Sequence, residues 1–312
     1  MKCPDNRMNI NNELNGLYYQ TKFSKPKHRN GIGCKNICEV YDFGKYKILN
    51  ENYLPTVPAK KKKFRSTEGI YAFLEYLPGG ELFDKIIEER WHSLNLPTKI
   101  KRTKKIICQL LEGLKCIHEG GYVHLDLKLE NILCVSKDFE DDSVKLIDFG
   151  FMKKIGEPKR GIFGSPNYIP RDFYDYSVKE YSEKFDIWSI GIIFFTCIFG
   201  FYPTGIPKNS HGGPLTLDET IVEPSEKDYT RLSKKYPNDL QHIEELKEIF
   251  DKIFTNSSER PTAEGLLDIL DDGEKEHKLT VSSRKGGVKS KLNRRRRKQA
   301  NKRSKKKNKS RR

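Results

Sequence analysis

The chain has 312 residues, 36% hydrophobic and 33% charged, with a formal net charge of +16. That length and apolar content suffice for one sizeable core in one or two domains, and the charged fraction fits a soluble protein. The charge is uneven: Arg284–Arg312 carries 17 of the 59 Lys and Arg and no acidic residue, leaving 42 basic against 43 acidic residues in positions 1–283.

Met1–Asn12 is polar and lacks an apolar stretch, so it does not read as a signal peptide. The seven cysteines, Cys3, Cys34, Cys38, Cys108, Cys116, Cys134 and Cys197, are odd in number and scattered, with no C-x-x-C pair. This argues against a disulfide framework and a zinc site and for a reducing compartment, giving an intracellular expectation, cytoplasmic or nuclear. Ile106, Leu110, Leu114 and Ile117 recur at helical spacing and predict a core helix.

That helix runs into Tyr122–Cys134, and Lys145–Gly150 follows. Asp126, Lys128 and Asn131 fall within six positions on one loop. Asp148 comes after two short apolar runs, Ile132–Val135 and Val144–Ile147, which predict a hairpin with a second carboxylate at its end. Any one of these polar residues alone is more simply a turn former. Together they suit in-line phosphoryl transfer, which needs a carboxylate to orient an acceptor hydroxyl, a cation near the moving charge and hard oxygen ligands for Mg²⁺. Asp126 fits the base, Lys128 the cation, and Asn131 and Asp148 the metal ligands.

Ile187–Tyr202 is strongly apolar but has sixteen residues, short of the roughly 20 needed to cross a bilayer. It predicts a buried helix rather than a span. Arg284–Arg312 is too hydrophilic and self-repelling to fold alone, and its expected partners are polyanions: nucleic acid, an acidic import receptor or an anionic surface. Without aromatics it offers no base stacking.

His124–Asn131 and Asp148–Gly150 resemble the H-R-D-L-x-x-x-x-N and D-F-G elements of the eukaryotic protein kinase family. The likeness continues: Gly164–Tyr168 resembles the substrate-positioning loop, Asp186–Gly191 the start of the central buried helix, Gly200–Pro203 the turn after it, and Arg260–Thr262 closes the series. Upstream, Phe73–Asp84 is similar to the interlobe hinge. The resemblance covers about 73–270 in conserved order and implies an α+β, two-lobed kinase-like fold of the serine/threonine class. It divides the chain into a reduced β-rich N-lobe and hinge at 1–77, a helical C-lobe at 78–275 and a polybasic tail at 276–312.

The resemblance further implies ATP and Mg²⁺ as cofactors and a protein substrate with basic character. Leu133 would pack under the adenine, Glu75 and Leu77 would offer hinge backbone groups, and Glu81 would reach the ribose. Glu81 and Glu130 would meet basic side chains of a substrate, and Ser165 belongs to the substrate loop. His124, Phe149, Asp172, Asp186 and Arg260 would be structural supports, Asp186 bonding back to the catalytic loop and Asp172 pairing with Arg260. Leu125 replaces the family's usual Arg before the catalytic Asp, and 151–163 contains no Ser, Thr or Tyr. Both point to an activation segment that needs no phosphate switch.

The N-lobe matches less well. Asn36–Gly44 and Ile70–Leu74 resemble its last two strands, with Lys60–Lys63 in the long loop between them. Glu13 then becomes the helix Glu, Leu17 the residue stacking toward Phe149 and His124, and Lys2 the phosphate-anchoring Lys, with no room for a glycine-rich loop. The rival assignment takes Gly31-Ile-Gly33 as that loop and Lys47 as the Lys, but it leaves too few residues and places Pro55 and Pro58 where a helix should be. The expected function is a serine/threonine kinase. The alternative is a catalytically silent or shortened kinase-like scaffold that binds protein or polyanion partners.

Overall fold

The computed structural model describes residues 6–25, 31–49, 66–162, 164–175, 177–205 and 222–271. Lys2, Lys60–Lys63 and the basic tail therefore lie outside the described residues, as does Phe163. The chain divides into a body, 1–266, and a terminal unit, 267–312, whose described part, 267–271, is helical.

The body begins with α1 (Asn6–Ser24), followed by the antiparallel pair β1 (Val40–Leu49) and β2 (Ser66–Leu74). Their register runs from Val40 opposite Leu74 to Leu49 opposite Ser66, with an irregularity between Val40 and Asp42. α1 is rich in Asn and contains Gly16, all weak helix formers, so its helicity depends on tertiary ties. Phe23 is fully buried, Gln20 Nε2 donates to the Cys38 carbonyl at 2.9 Å, and the rings of Tyr19 and Phe23 pack on Tyr122.

The Gly31–Gly33 segment folds back onto the end of this helix. Ile32 N–H donates to the Lys22 carbonyl, and the N–H groups of Gly33 and Cys34 both donate to the Phe23 carbonyl. Those donors are committed to α1, which counts against the rival reading of Gly31-Ile-Gly33 as a phosphate loop.

A larger helical part follows: α2 (Leu82–Ile87), α3 (Glu89–His92), α4 (Leu96–Glu119), then, past the catalytic loop, α5 (Lys184–Phe199), α6 (Glu226–Lys235) and α7 (Leu240–Ile253), with further helix at 263–271. α4 starts where Asn95 Oδ1 accepts the Thr98 N–H. Its stripe of Ile106, Ile107, Leu110, Leu111, Leu114 and Ile117 is wholly buried, as the spacing predicted. In α5 every residue after Lys184 is buried, with Phe194, Phe195 and Phe199 packed on Phe250 of α7. Gly200 ends it at φ +78°, a left-handed conformation that glycine adopts without strain. No described helix is long and apolar enough to cross a membrane.

Among the described residues the strands pair in three two-stranded ladders: β1 with β2, β3 (Tyr122–Val123) with β6 (Lys153–Lys154), and β4 (Ile132–Cys134) with β5 (Val144–Leu146). The predicted hairpin is β4–β5, with Ile132 opposite Leu146 and Cys134 opposite Val144. Its acidic connection is pinned from below. Asp142, 4% exposed, accepts from Arg102 and Lys85, and Gln109 bonds both the Asp142 carbonyl and the Val144 N–H.

The cysteine pattern, which argued against a disulfide framework, did not foresee one pairing: Cys34 and Cys116 form a disulfide, with Cα atoms 6.2 Å apart. The spacing argument failed because the partners are 82 residues apart in sequence and meet only when the end of α1 reaches α4.

Lys99 of α4 is 2% exposed, its ammonium donating to the His92 carbonyl at 3.0 Å. Burial, with Lys235 adding repulsion, lowers its pKa from 10.5 to about 8. The folded state thus binds this proton more weakly than the unfolded chain, so the penalty is full below pH 8 and is relieved as pH rises from about 8 to 10.5. Lys99→Met is expected to raise stability at pH 7 by on the order of 1–3 kcal/mol and to flatten the rise across that window, measured by denaturant midpoints.

Candidate functional site

The catalytic loop sits between β3 and β4, and its shape is set by Asp186 at the start of α5. This fully buried carboxylate accepts the His124 N–H at 2.8 Å on Oδ2 and the Leu125 N–H at 2.9 Å on Oδ1. Those two bonds offset the strain of Leu125, which lies at φ +68°. His118 of α4 makes a third contact, Nε2 to Asp186 Oδ2 at 2.8 Å. Sequence reading did not single out His118, since it lies one place past the apolar stripe and carries no motif of its own.

Asp126 is 4% exposed and held on both sides. Asn131 Nδ2 donates to the Asp126 carbonyl at 2.8 Å and to its Oδ2 at 3.0 Å. The Ser165 hydroxyl donates to Asp126 Oδ1 at 2.9 Å, and Lys128 Nζ donates to the same hydroxyl oxygen at 3.0 Å while lying 3.6 Å from Asp126 Oδ2. A hydroxyl thus lies between a carboxylate that accepts its proton and an ammonium that faces its oxygen. This arrangement can orient an O–H and hold a positive charge where negative charge develops.

With its Nδ2 engaged by Asp126, Asn131 turns its amide oxygen away from that carboxylate. Asp148, exposed and at φ +61°, accepts the Gly150 N–H at 3.1 Å. These are hard oxygen donors of the kind Mg²⁺ takes, one amide and one carboxylate. No group of three or more His, Cys, Asp or Glu that could hold a metal by itself occurs among the described residues. An amide oxygen and a carboxylate fit a magnesium whose remaining ligands would be phosphates and water.

Phe149, next to Asp148, is 1% exposed and packs on His124 with ring centroids 4.9 Å apart. α1 reaches this turn at Gly16: a Cβ there would lie 2.8 Å from Gly150 N and 3.0 Å from the Phe149 carbonyl carbon. Only a residue without a side chain allows that approach. Glu13, one turn earlier on α1, is exposed.

At the hinge, Leu77 is buried and Leu133 half-buried, and Glu81 bridges Leu133 through the backbone at the start of α2 with no capping hydrogen bond from its side chain. Glu75 N–H donates to the Glu39 carbonyl, and its carboxylate accepts from Lys145 at 2.7 Å and from the Glu39 N–H. Glu75 therefore ties hinge to β5, and its carbonyl accepts from the Cys38 thiol, Sγ to O 3.7 Å.

Downstream, Tyr168 bonds Tyr202 at 2.9 Å, and its carbonyl accepts from Ser189 at 2.8 Å. Burial pushes the Tyr168 phenol far above its ordinary range, so it stays neutral. Glu130, beside this pair, has an Oε2 with no hydrogen-bond partner. Arg260 Nη1 bonds Asp172 Oδ2 at 2.8 Å, both residues buried.

Leu125, in the place of a cation, is 4% exposed in an apolar cluster with Val123, Ile169, Phe173, Tyr181 and Phe185. The activation segment is fixed by other means. Gly156 N–H donates to the Tyr181 carbonyl, Tyr181 N–H to the Glu157 carbonyl, and Lys159 Nζ to the carbonyls of Asp172 and Asp175. Phosphatase treatment is accordingly expected to leave activity unchanged. A phosphate on 151–165 that raises activity would overturn this.

The family whose sequence pattern matches residues 33–269 is the protein kinase domain. Among curated relatives, a probable myosin light chain kinase of Dictyostelium discoideum is 34% identical over 142 residues, 45% of this chain and 34% of its own length. Human myosin light chain kinase family member 4 is 34% identical over 143 residues, with the same shares. The smooth-muscle myosin light chain kinase of Gallus gallus is 34% identical over 158 residues, half of this chain and 8% of the relative. The chain thus spans about a third or less of the length of these relatives. With the family pattern covering most of its residues and the loop geometry described above, the chain belongs to the protein kinase domain family.

Proposed function

We propose that this chain is a serine/threonine protein kinase that transfers the γ-phosphoryl group of ATP to hydroxyls of protein substrates. The observation that carries this is the arrangement of Asp126, Lys128 and the Ser165 hydroxyl, within 3.0 Å of one another through that oxygen. Asp126 accepts the proton of the attacking hydroxyl, and Lys128 holds the charge next to it. Asn131 and Asp148 are the residues to hold Mg²⁺; Leu133 packs under the adenine, Glu75 and Leu77 offer hinge backbone groups to its edge, and Glu81 reaches the ribose. Mg²⁺-ATP, when bound, supplies the phosphoryl group and neutralises its charge.

Glu130 is the residue we assign to basic side chains near the acceptor, by its place in the catalytic loop two positions after Lys128. The relatives are named for myosin light chains; what we carry over is the coarser class, a protein acceptor. Partners for the basic tail are polyanions by charge alone.

The test is Mg²⁺-dependent transfer from ATP to a basic Ser-containing peptide by the chain and by Asp148→Asn. Transfer lost in the variant supports the reading. No transfer from either folded protein would favour a silent kinase-like scaffold.

A further inference from the structure

We propose that Cys34 and Cys116 are a reversible dithiol–disulfide latch that sets how firmly α1 is held behind the Asp148–Gly150 turn, and through it the transfer activity. The effect on activity rests on the kinase reading above; the effect on α1 does not.

The bond joins two places that matter to that turn. Cys34 sits on the C-terminal end of α1, its N–H donating to the Phe23 carbonyl at 2.9 Å. Cys116 lies in the last turn of α4, where its carbonyl accepts the Gly120 N–H, and two residues later His118 contacts Asp186, the anchor of the catalytic loop. From the tethered end, α1 runs back to Gly16, whose backbone abuts Phe149 and Gly150. Opening the disulfide removes the covalent tie between the segment bonded to the end of α1 and α4, and the middle of α1 abuts the Asp148–Gly150 turn.

α1 is a suitable element for such control because its own sequence holds it weakly. Asn6, Asn9, Asn11, Asn12, Asn15 and Gly16 all disfavour helix. The remaining ties, Gln20 to the Cys38 carbonyl, Ser24 Oγ accepting the Val40 N–H and the rings against Tyr122, keep α1 attached after reduction. Reduction therefore loosens the helix without releasing it.

Exposure sets the order of the chemistry. Cys116 is half-buried, whereas Cys34 is 8% exposed, so Cys116 meets an external reagent first. Its thiolate attacks a low-molecular-weight disulfide such as glutathione disulfide, forming a mixed disulfide and releasing one glutathione thiolate that takes up a proton. The Cys34 thiolate then attacks the Cys116 sulfur, forming the protein disulfide and releasing the second glutathione. Two protein thiols are oxidised and one external disulfide is reduced; excess glutathione reverses both steps. Cys38, Cys134 and Cys197 differ in kind, being buried thiols whose pKa burial pushes up, for Cys38 to about 11, so thiolate is scarce there.

The experiment equilibrates the full chain in glutathione buffers of graded ratio. It reads the 34–116 bond by differential alkylation and mass spectrometry, the α1 amides by hydrogen exchange, and transfer to the basic peptide. The expected result is a titratable bond whose formation slows exchange over 11–24 and raises transfer at least about fivefold. Cys34→Ser should be fixed at the reduced level and blind to the buffer. If that variant fails to fold, Cys116→Ala and the wild-type titration decide. The proposal is overturned if the two thiols stay reduced at every ratio, or if the bond forms and α1 exchange does not change. A shift in α1 exchange with no transfer in either state upholds the latch and counts against the kinase reading instead.

Discussion

Asp126→Asn is expected to lower transfer to a protein hydroxyl by about 10²–10⁴-fold, with little change in KM for ATP. The carboxylate accepts the Ser165 hydroxyl proton on Oδ1 at 2.9 Å while Asn131 occupies Oδ2. An amide can still accept one hydrogen bond there but cannot take the proton, so the loss falls on the chemical step. Asn131 also holds the Asp126 carbonyl at 2.8 Å, a bond the substitution leaves intact, and the loop geometry should survive. Steady-state kinetics with a thermal melt on the same preparation separates the cases: lost kcat with an unchanged melt supports the base role. Unchanged transfer would remove Asp126 from it.

What the sequence disclosed depended on how local each determinant is. Asp126, Lys128, Asn131 and Asp148 lie within 23 residues joined by a short hairpin, so spacing alone fixed their relation and the structure places the first three in mutual contact. The α4 stripe and the α5 run were legible for the same reason: their burial follows from periodicity and apolarity. Asp186 and Arg260 were reached through resemblance, since their partners are 62 and 88 residues away. Where neither help existed, the reading failed or stayed open. The Cys34–Cys116 bond has no motif, and neither has the cluster of Lys85, Arg102 and Asp142 under the β4–β5 connection. α1 was hardest, because Asn-rich sequence gives a poor helix signal. The residue by which it touches the Phe149 turn is a glycine, which no hydrophobic pattern picks out.

Arg260→Met is expected to destabilise the fold by about 3–5 kcal/mol, a large share of the 5–15 kcal/mol typical of a domain. Arg260 is 1% exposed and makes four hydrogen bonds: to Asp172 Oδ2, to the Lys184 carbonyl at the start of α5, and to the Ile253 and Thr255 carbonyls at the end of α7. Burial lowers its pKa, and the Asp172 carboxylate beside it opposes that shift. Removing the cation leaves Asp172, 2% exposed, as a buried carboxylate facing an apolar chain, and takes a donor from three carbonyls. The double variant Asp172→Asn/Arg260→Met removes the orphaned charge and should recover part of the loss, a coupling read from denaturant midpoints of the four proteins in the cycle. Additive losses would show that the carbonyl bonds, not the ion pair, carry the effect. Arg260→Lys is no conservative control, because one ammonium cannot span four acceptors set in different directions around a planar fork.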